Sequence, residues 1–239
     1  MNNNLTSLVS REDLGQLYHP FQPTYGYAGE YVDATHAALA ESADQQTLVE
    51  YQGIDGFLRV ADALKLYELA FFATGDVLEI GTHHGLSTAI LSTAIRNSQY
   101  PDRMVHTIEI SPTSVERARS HHKRLNVEDT IYYHAQPSTS ALSEFSATRQ
   151  KFSLVFVDHD HSYAATIELL DSIEVLLEPG SLVLFHDYND SRNTNSDDLE
   201  YGVFDAIEHS ATPSLKPFGT FGCCGLFLYD SSENENYLS

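Results

Sequence analysis

Gly75-Asp76-Val77-Leu78-Glu79-Ile80-Gly81-Thr82-His83-His84-Gly85-Leu86-Ser87-Thr88 is the run from which the fold can be read. Val77 to Ile80 is a short apolar segment broken by one carboxylate, the pattern of a buried parallel strand. Gly81 and Gly85 follow at once, and Leu86 to Ile95 carries a helical pattern. Strand, glycine turn and helix in that order bring backbone N–H groups to a place where a ligand can meet them. The spacing is Gly-x-x-x-Gly, so the middle glycine of the dinucleotide fingerprint is missing and a pyrophosphate would fit poorly. Glu79 adds negative charge beside the turn, which suits a ligand with an ammonium group better than one with phosphates. A tight strand–helix turn holding no ligand has the same local sequence.

Working outward, Met104 to Ile110 reads as a second strand, and Ser111 caps the helix after it with Pro112 in the first turn. Glu109 closes that strand, 28 positions past Gly81. In doubly wound folds an acidic residue there binds ribose hydroxyls through two acceptor oxygens. Thr130 to His134 is a third strand, and Gln136 in the loop beyond it can hydrogen-bond an adenine edge. Phe152 to Val157 is a fourth, ending in Asp158-His159-Asp160-His161. A helix follows with Tyr163, Ile167, Leu170 and Leu177 on one face, stopped by Glu178-Pro179-Gly180. Ser181 to Phe185 is the next strand, ending in His186-Asp187-Tyr188-Asn189. Parallel strands open at one edge, so Asp158, His161, His186 and Asp187 are expected to converge there.

On the upstream side, Ile54 to Phe72 repeats Phe57, Val60, Leu64, Leu66 and Leu69 near helical spacing, and Gly75 stops it. Ser191 to Glu200 is a polar loop, Tyr201 to His209 a short helix, and Leu215–Phe221 and Cys223–Tyr229 are two last strands around Gly222. Residues 54–230 thus read as one α/β domain, 231–239 as a polar tail, and 1–53 as an ordered extension. Tyr18, Phe21, Tyr25, Tyr27 and Tyr31 make that extension too aromatic for a disordered tail. It is expected to act as a lid over a pocket or to pack on the domain edge or a dimer mate, so a homodimer is one expectation.

The formal charge of −21 comes without a basic run, which argues against nucleic acid and against anionic membranes. No apolar run reaches membrane-spanning length. The start Met1-Asn2-Asn3-Asn4 lacks a charged-then-apolar leader pattern, so a cytoplasmic location is expected. The two cysteines, Cys223 and Cys224, are neighbours and are expected to be buried free thiols.

The glycine-turn stretch resembles motif I of the class I S-adenosylmethionine (SAM) methyltransferases. Leu78-Glu79-Ile80-Gly81, Ile108-Glu109-Ile110 and Val157-Asp158-His159 look like catechol O-methyltransferase and its relatives. Asp158 to Tyr163, Phe185-His186-Asp187-Tyr188 and Ile54-Asp55-Gly56-Phe57-Leu58 look closer to the small bacterial methyltransferases that include macrolide-sugar and cephalosporin-tailoring members. The likeness runs from about Gly56 to Tyr229. It implies a doubly wound, Rossmann-like seven-stranded sheet, mostly parallel with an antiparallel last strand, and helices on both faces. By position it implies that Glu79, Gly81, Gly85 and Ser87 hold the methionine end of SAM, with Thr82 and His83 also counted among the cofactor-binding residues. It places Glu109 on the ribose and Gln136 and His159 near the adenine, and counts Asp158 among the cofactor-binding residues.

The same likeness makes Asp158 and Asp187 metal ligands, with His186 as the third. Relatives place two adjacent oxygen ligands at the last strand end, whereas here the pair is His186-Asp187 or Asp187-Tyr188. Magnesium prefers oxygen, and an Asp-His-Asp set suits manganese, iron or zinc at least as well. His161 falls where the catechol enzyme has its lysine base, which makes it the first candidate base and His186 the second. A helix-start histidine that only satisfies backbone groups is the plainer reading of His161. The implied activity is O-methylation of a small hydroxylated acceptor. Hydroxylase or oxidoreductase chemistry on the same fold, and non-catalytic SAM or nucleotide binding, are the alternatives.

Overall fold

The computed structural model describes residues 8–15, 31–41, 44, 46–195, 197–198, 200–210 and 214–231. The lid expectation rests on Tyr18, Phe21, Tyr25 and Tyr27, which lie outside these residues, as does nearly all of the polar tail. The elements in chain order are α1 (Ala34–Ala40), α2 (Val60–Phe72), β1 (Val77–Ile80), α3 (Leu86–Asn97), β2 (Val105–Ile108), α4 (Pro112–Arg124), β3 (Ile131–His134), α5 (Ser138–Thr148), β4 (Phe152–Val157), α6 (Tyr163–Glu174), β5 (Leu177–Phe185), α7 (Val203–His209), β6 (Leu215–Phe221) and β7 (Cys224–Tyr229).

The strands form one sheet in the order β3-β2-β1-β4-β5-β7-β6. β1 to β5 run parallel, and β7 is antiparallel to both β5 and β6. Strand alternation sends Val77, Leu154, Phe156, Leu184 and Leu226 to one face, where α2 and α3 cover them. Leu78, Ile80, Val155, Val183 and Phe185 go to the other, under α5, α6 and α7. This is the doubly wound architecture expected from the sequence. Its strand order reverses between β1 and β4, the place where such sheets leave a crevice at their carboxyl ends.

Three boundaries differ from the sequence reading, each for a local reason. Ile54 to Leu58 is not helix: α2 starts at Val60, and the segment before it runs back along residues 47–49, with Val49 N donating to Leu58 O at 2.8 Å and Val60 N to Thr47 O at 2.9 Å. Gln52 and Gly53 both adopt positive φ in the tight turn that makes this possible. Phe57 therefore stands 77% exposed instead of facing a core. The sixth helix ends at Glu174, before Leu177, which already pairs with Phe152 as strand. Glu178-Pro179-Gly180 is a bulge inside β5, with Glu178 N donating to Ser181 Oγ at 3.0 Å and Gly180 at φ +92°. The buried side of α6 is Thr166, Leu169, Leu170 and Ile173, with Ile167 packed against it in part, whereas Tyr163 is exposed and Leu177 belongs to β5. The second strand covers only Val105–Ile108, and Glu109 and Ile110 have already turned away.

The described parts of the extension dock at two separate places. Leu14 is fully buried on the α6–α7 side and Arg11 pairs with Asp205 of α7. On the other face, His36 of α1 meets Glu68 of α2 at 3.0 Å and Tyr67 donates to Asp33. Both cysteines are buried and free.

Candidate active site

Gly81 leaves β1 at φ +107°, a conformation that strains any residue with a Cβ. A side chain there would also overlap the carbonyl oxygen of Asp158, the residue just past β4. The crossing is tight because Asp158 N donates to Ile80 O at 2.9 Å, lacing the two strand ends together. Gly85 caps α3 at φ +87°, and a Cβ on it would sit 2.5 Å from His122 Nε2. His122 is fully buried, faces the Gly85 carbonyl at 2.8 Å and the Tyr133 hydroxyl at 2.7 Å, and burial holds its pKa down at about 4. A neutral ring that donates from Nε2 and accepts at Nδ1 satisfies both contacts.

Glu79 lies at the floor of this turn with no solvent exposure. Thr88 and Thr107 both donate hydroxyls to its Oε2. Burial pushes its pKa up to about 7, and the Ser87, Thr107 and Thr88 hydroxyls restrain the rise. Its other oxygen, Oε1, is sealed from solvent and has no hydrogen bond of ordinary geometry among the described residues. A buried acceptor left in that state favours a donor supplied from outside the protein. Glu109 reaches back to the turn, accepting from His83 N at 2.8 Å and from Ser111 N at 2.9 Å.

Above the turn opens a cavity of about 540 Å³, within the size range of small-molecule sites. Gly81, Thr82, His83, Ser87, Asp158, His159, His161, His186 and Asp187 all line it, together with Gly56 to Arg59 on one side and Asp190 and Arg192 on the other. Nine of the expected site residues thus share one cavity wall. Glu79 lies beneath that wall, and Gly85 and Glu109 shape the turn without lining the cavity. Gln136 stands off it, donating to Glu144 at 3.1 Å. His159 is pressed into the wall, and burial lowers its pKa.

The carboxyl-end rim is a charge network. Asp187 adopts φ +60°, unusual for a residue with a side chain and common at functional sites. That turn aims Oδ2 at His186 Nδ1, 3.1 Å away, and at His161 Nδ1, 3.2 Å away, while Oδ1 lies 3.4 Å from Arg192. Burial alone would raise the Asp187 pKa, but His186, and after it His161, outweigh burial and hold it low. His186 is buried and its Nδ1 also lies 3.2 Å from Asp158 Oδ1. Burial works against its charged form, and Asp158, Cys223 and Asp187 overcome that and push its pKa well up. Its Nδ1 points between the two carboxylates without a well-aligned bond to either. Its Nε2 turns away from the rim, to Cys223 Sγ at 3.1 Å.

Ligand-capable atoms of Asp158, His161 and Asp187 lie within 4.8 Å of one another. The grouping brings in His161, where the sequence pointed to His186. Arg192, Asp190 and Asp62 were missed as site residues. Arg192 lay inside a loop read only as polar, and Asp62 inside a helix that also carries Lys65 and Glu68, where one more charged residue carries no signal.

Residues 78–188 match the model of a methyltransferase domain family. No curated protein matches the chain. Among solved structures, a protein assigned as an O-methyltransferase from Klebsiella pneumoniae superposes with a TM-score of 0.63 at 21% identity, covering 75% of this chain and 84% of that one. The O-methyltransferase TomG from Streptomyces achromogenes, solved with SAM, gives 0.61 at 21% identity over 83% and 90% of the two chains. An O-methyltransferase from Bacillus cereus, solved with SAH, gives 0.59 at 20% identity over 82% and 87%. These likenesses establish the fold. Residues 78–188 thus match a methyltransferase-domain model, and they are carried on a Rossmann-like sheet whose fold these solved O-methyltransferases share.

Proposed function

We propose that this protein is a SAM-dependent O-methyltransferase acting on a small hydroxylated molecule. The observation that carries the reading is the His161–Asp187 pair, at 3.2 Å, on the wall of the cavity whose floor is the glycine turn. SAM, when bound, supplies a methyl group on a sulfonium, already activated for displacement. Glu79, Gly81, Thr82, His83, Gly85 and Ser87 would hold its methionine end, and the unpartnered Oε1 of Glu79 fits a donor such as an ammonium group. Glu109 would take the ribose hydroxyls on lone pairs not used by His83 N and Ser111 N. Asp158 and His159, on the cavity wall, would lie towards the adenine, while Gln136 stands off the cavity and is left without that role. TomG and the Bacillus cereus enzyme were solved with SAM and SAH respectively, which supports the same ligand here.

The chain's own task is alignment and proton removal. An acceptor hydroxyl is a weak nucleophile until its proton is leaving. With Nδ1 held on Asp187, His161 presents Nε2 as the proton acceptor, and the carboxylate favours the imidazolium that results. His186, enclosed by two carboxylates and Cys223, is the weaker candidate for that role. The whole-chain charge of −21 disfavours anionic acceptors, so a neutral phenol or alcohol is the favoured class.

A second reading has the grouping of Asp158, His161 and Asp187 behind it. A divalent ion held there would lower the hydroxyl pKa and orient the oxygen. It would occupy His161, leaving that residue no role as base. His186, His161 and Arg192 already balance Asp187, which favours the metal-free dyad.

The test is incubation with SAM and a panel of phenols and alcohols, with products read by mass. A gain of CH₂ with release of SAH supports transfer. A gain of oxygen would point to a hydroxylase, and SAM binding without SAH from any acceptor would point to a binding protein. Activity lost in EDTA and restored by manganese or magnesium would select the metal-assisted reading.

A further inference from the structure

Behind the rim, a second group of ligand-capable side chains comes together: Asp62, His186, Cys223 and Cys224, all buried. They arrive from the first turn of α2, the end of β5 and the β6–β7 turn. Gly222, at φ +57°, makes the approach feasible, since a Cβ on it would overlap the Asp62 carboxylate. Cys223 N also donates to Asp62 Oδ1 at 3.0 Å, fixing the turn against the helix. Cys223 Sγ lies 3.1 Å from His186 Nε2 and 3.3 Å from Asp62 Oδ2, and His186 Nε2 lies 4.0 Å from Asp62 Oδ2. One ligand atom from each of the four residues, Cys224 included, lies within 4.8 Å of the others.

Tetrahedral zinc, with bonds of about 2.3 Å to sulfur and about 2.1 Å to nitrogen or oxygen, requires sulfur–nitrogen and sulfur–oxygen edges of roughly 3.6 Å and a nitrogen–oxygen edge of roughly 3.4 Å. The three separations given above depart from these by roughly 0.6 Å or less, within reach of small side-chain rotations. The donor set of two sulfurs, one imidazole and one carboxylate is one that zinc accepts and magnesium does not. The other nitrogen of His186 strengthens the case. A metal-bound histidine characteristically donates its second ring N–H to a carboxylate, and His186 Nδ1 faces Asp187 at 3.1 Å and Asp158 at 3.2 Å.

We infer that Asp62, His186, Cys223 and Cys224 form a thiolate-bearing site for a divalent cation of the zinc class, directly behind the acceptor cavity. Cys223 and His186 lie on the cavity wall, which gives the ion its way in. Binding forms two metal–sulfur bonds and releases to solvent the protons held on the two thiols and on His186 Nε2, which frees the Nε2 lone pair for the ion. Four protein ligands leave no open position, so the ion is structural. It pins the His186 ring, and through it the orientation of Asp158 and Asp187. This site is distinct from the Asp158–His161–Asp187 grouping in ligand atoms and in chemistry, and does not depend on the proposed methyl transfer.

The experiment is titration of the full-length, metal-stripped protein with Co²⁺, followed by absorption. The expected result is one Co²⁺ per chain, with an intense near-ultraviolet thiolate-to-cobalt band that stoichiometric Zn²⁺ abolishes. In Cys223→Ser the band falls, and binding weakens by more than the roughly 10–100-fold that loss of an outer partner costs. In Asp158→Asn the band persists, which guards against misreading a misfolded cysteine variant. Wild-type protein that takes up no Co²⁺ overturns the inference. So does Co²⁺ bound with only weak visible absorption that Asp158→Asn removes, since that places the ion on the rim.

Discussion

Glu79→Gln separates an electrostatic role at the glycine turn from a merely structural one. The carboxyl is fully buried and holds its proton up to about pH 7, against an ordinary value of 4.5, because burial disfavours the charge. In the unfolded chain the same group ionises near its ordinary value. Between those two points the folded state binds more protons than the unfolded state, so stability falls as pH rises, and above about 7 the loss is complete. The gap corresponds to about 3 kcal/mol. Glutamine cannot ionise, so the variant should lack this slope. Its carbonyl can keep the Thr88 and Thr107 donors, while its NH₂ takes the unpartnered position at a cost of about 1–3 kcal/mol. The assay is urea unfolding of both proteins at half-unit steps from pH 4.5 to 8. Wild type minus variant should decline by about 3 kcal/mol across the window. The same carboxylate should make SAM bind more tightly as pH rises through 7 in wild type alone, because a ligand ammonium stabilises the ionised form. Parallel stability curves for the two proteins would refute the reasoning, whatever their offset.

His161→Ala should lower kcat by about 10²–10⁴-fold while leaving SAM affinity by calorimetry unchanged, as expected of a base that does not hold the cofactor. Gly81→Ala should destabilise the protein by on the order of 3 kcal/mol or more in chemical denaturation, since it combines a positive φ with overlap on the Asp158 carbonyl. His122→Gln should flatten the acid limb of the stability curve. His122 stays neutral in the fold down to about 4, so wild-type stability is lost as pH falls from 6.5 towards 4. Over much of this range that loss opposes the Glu79 effect, so only difference curves between wild type and each variant resolve the two.

The parallel half of the fold was legible because buried parallel strands read as short apolar runs, and Val77–Ile80 and Phe152–Val157 are each almost unbroken. Once those strands are parallel, the residues just past them must share an edge, which is why Asp158, His161, His186 and Asp187 could be placed together. The segment from Ile54 to Leu58 misled because its apolar residues fit helical spacing by accident. Its conformation is set by partners at Thr47 and Val49, and local periodicity contains no record of them. The end of α6 misled for a related reason: Leu177 is apolar for a strand, but its spacing also continues a helix.

Asp62 and Cys223 mark where sequence reading reaches its limit. They are 161 positions apart, one in a largely buried helix that also carries Lys65 and Glu68 and one in a turn between antiparallel strands. No motif spacing joins them. What joins them is the sheet order, which lays the β6–β7 turn over the start of α2, and a glycine that lets the backbone come close enough. The two nitrogens of His186 then divide the edge into two chemistries, sulfur and a buried carboxylate on one side, two cavity-lining carboxylates on the other. A strand-end histidine read only as a rim residue conceals that division. Anything that fixes Nε2 also fixes Nδ1, so the turn behind the site controls the geometry of the carboxylates in front of it.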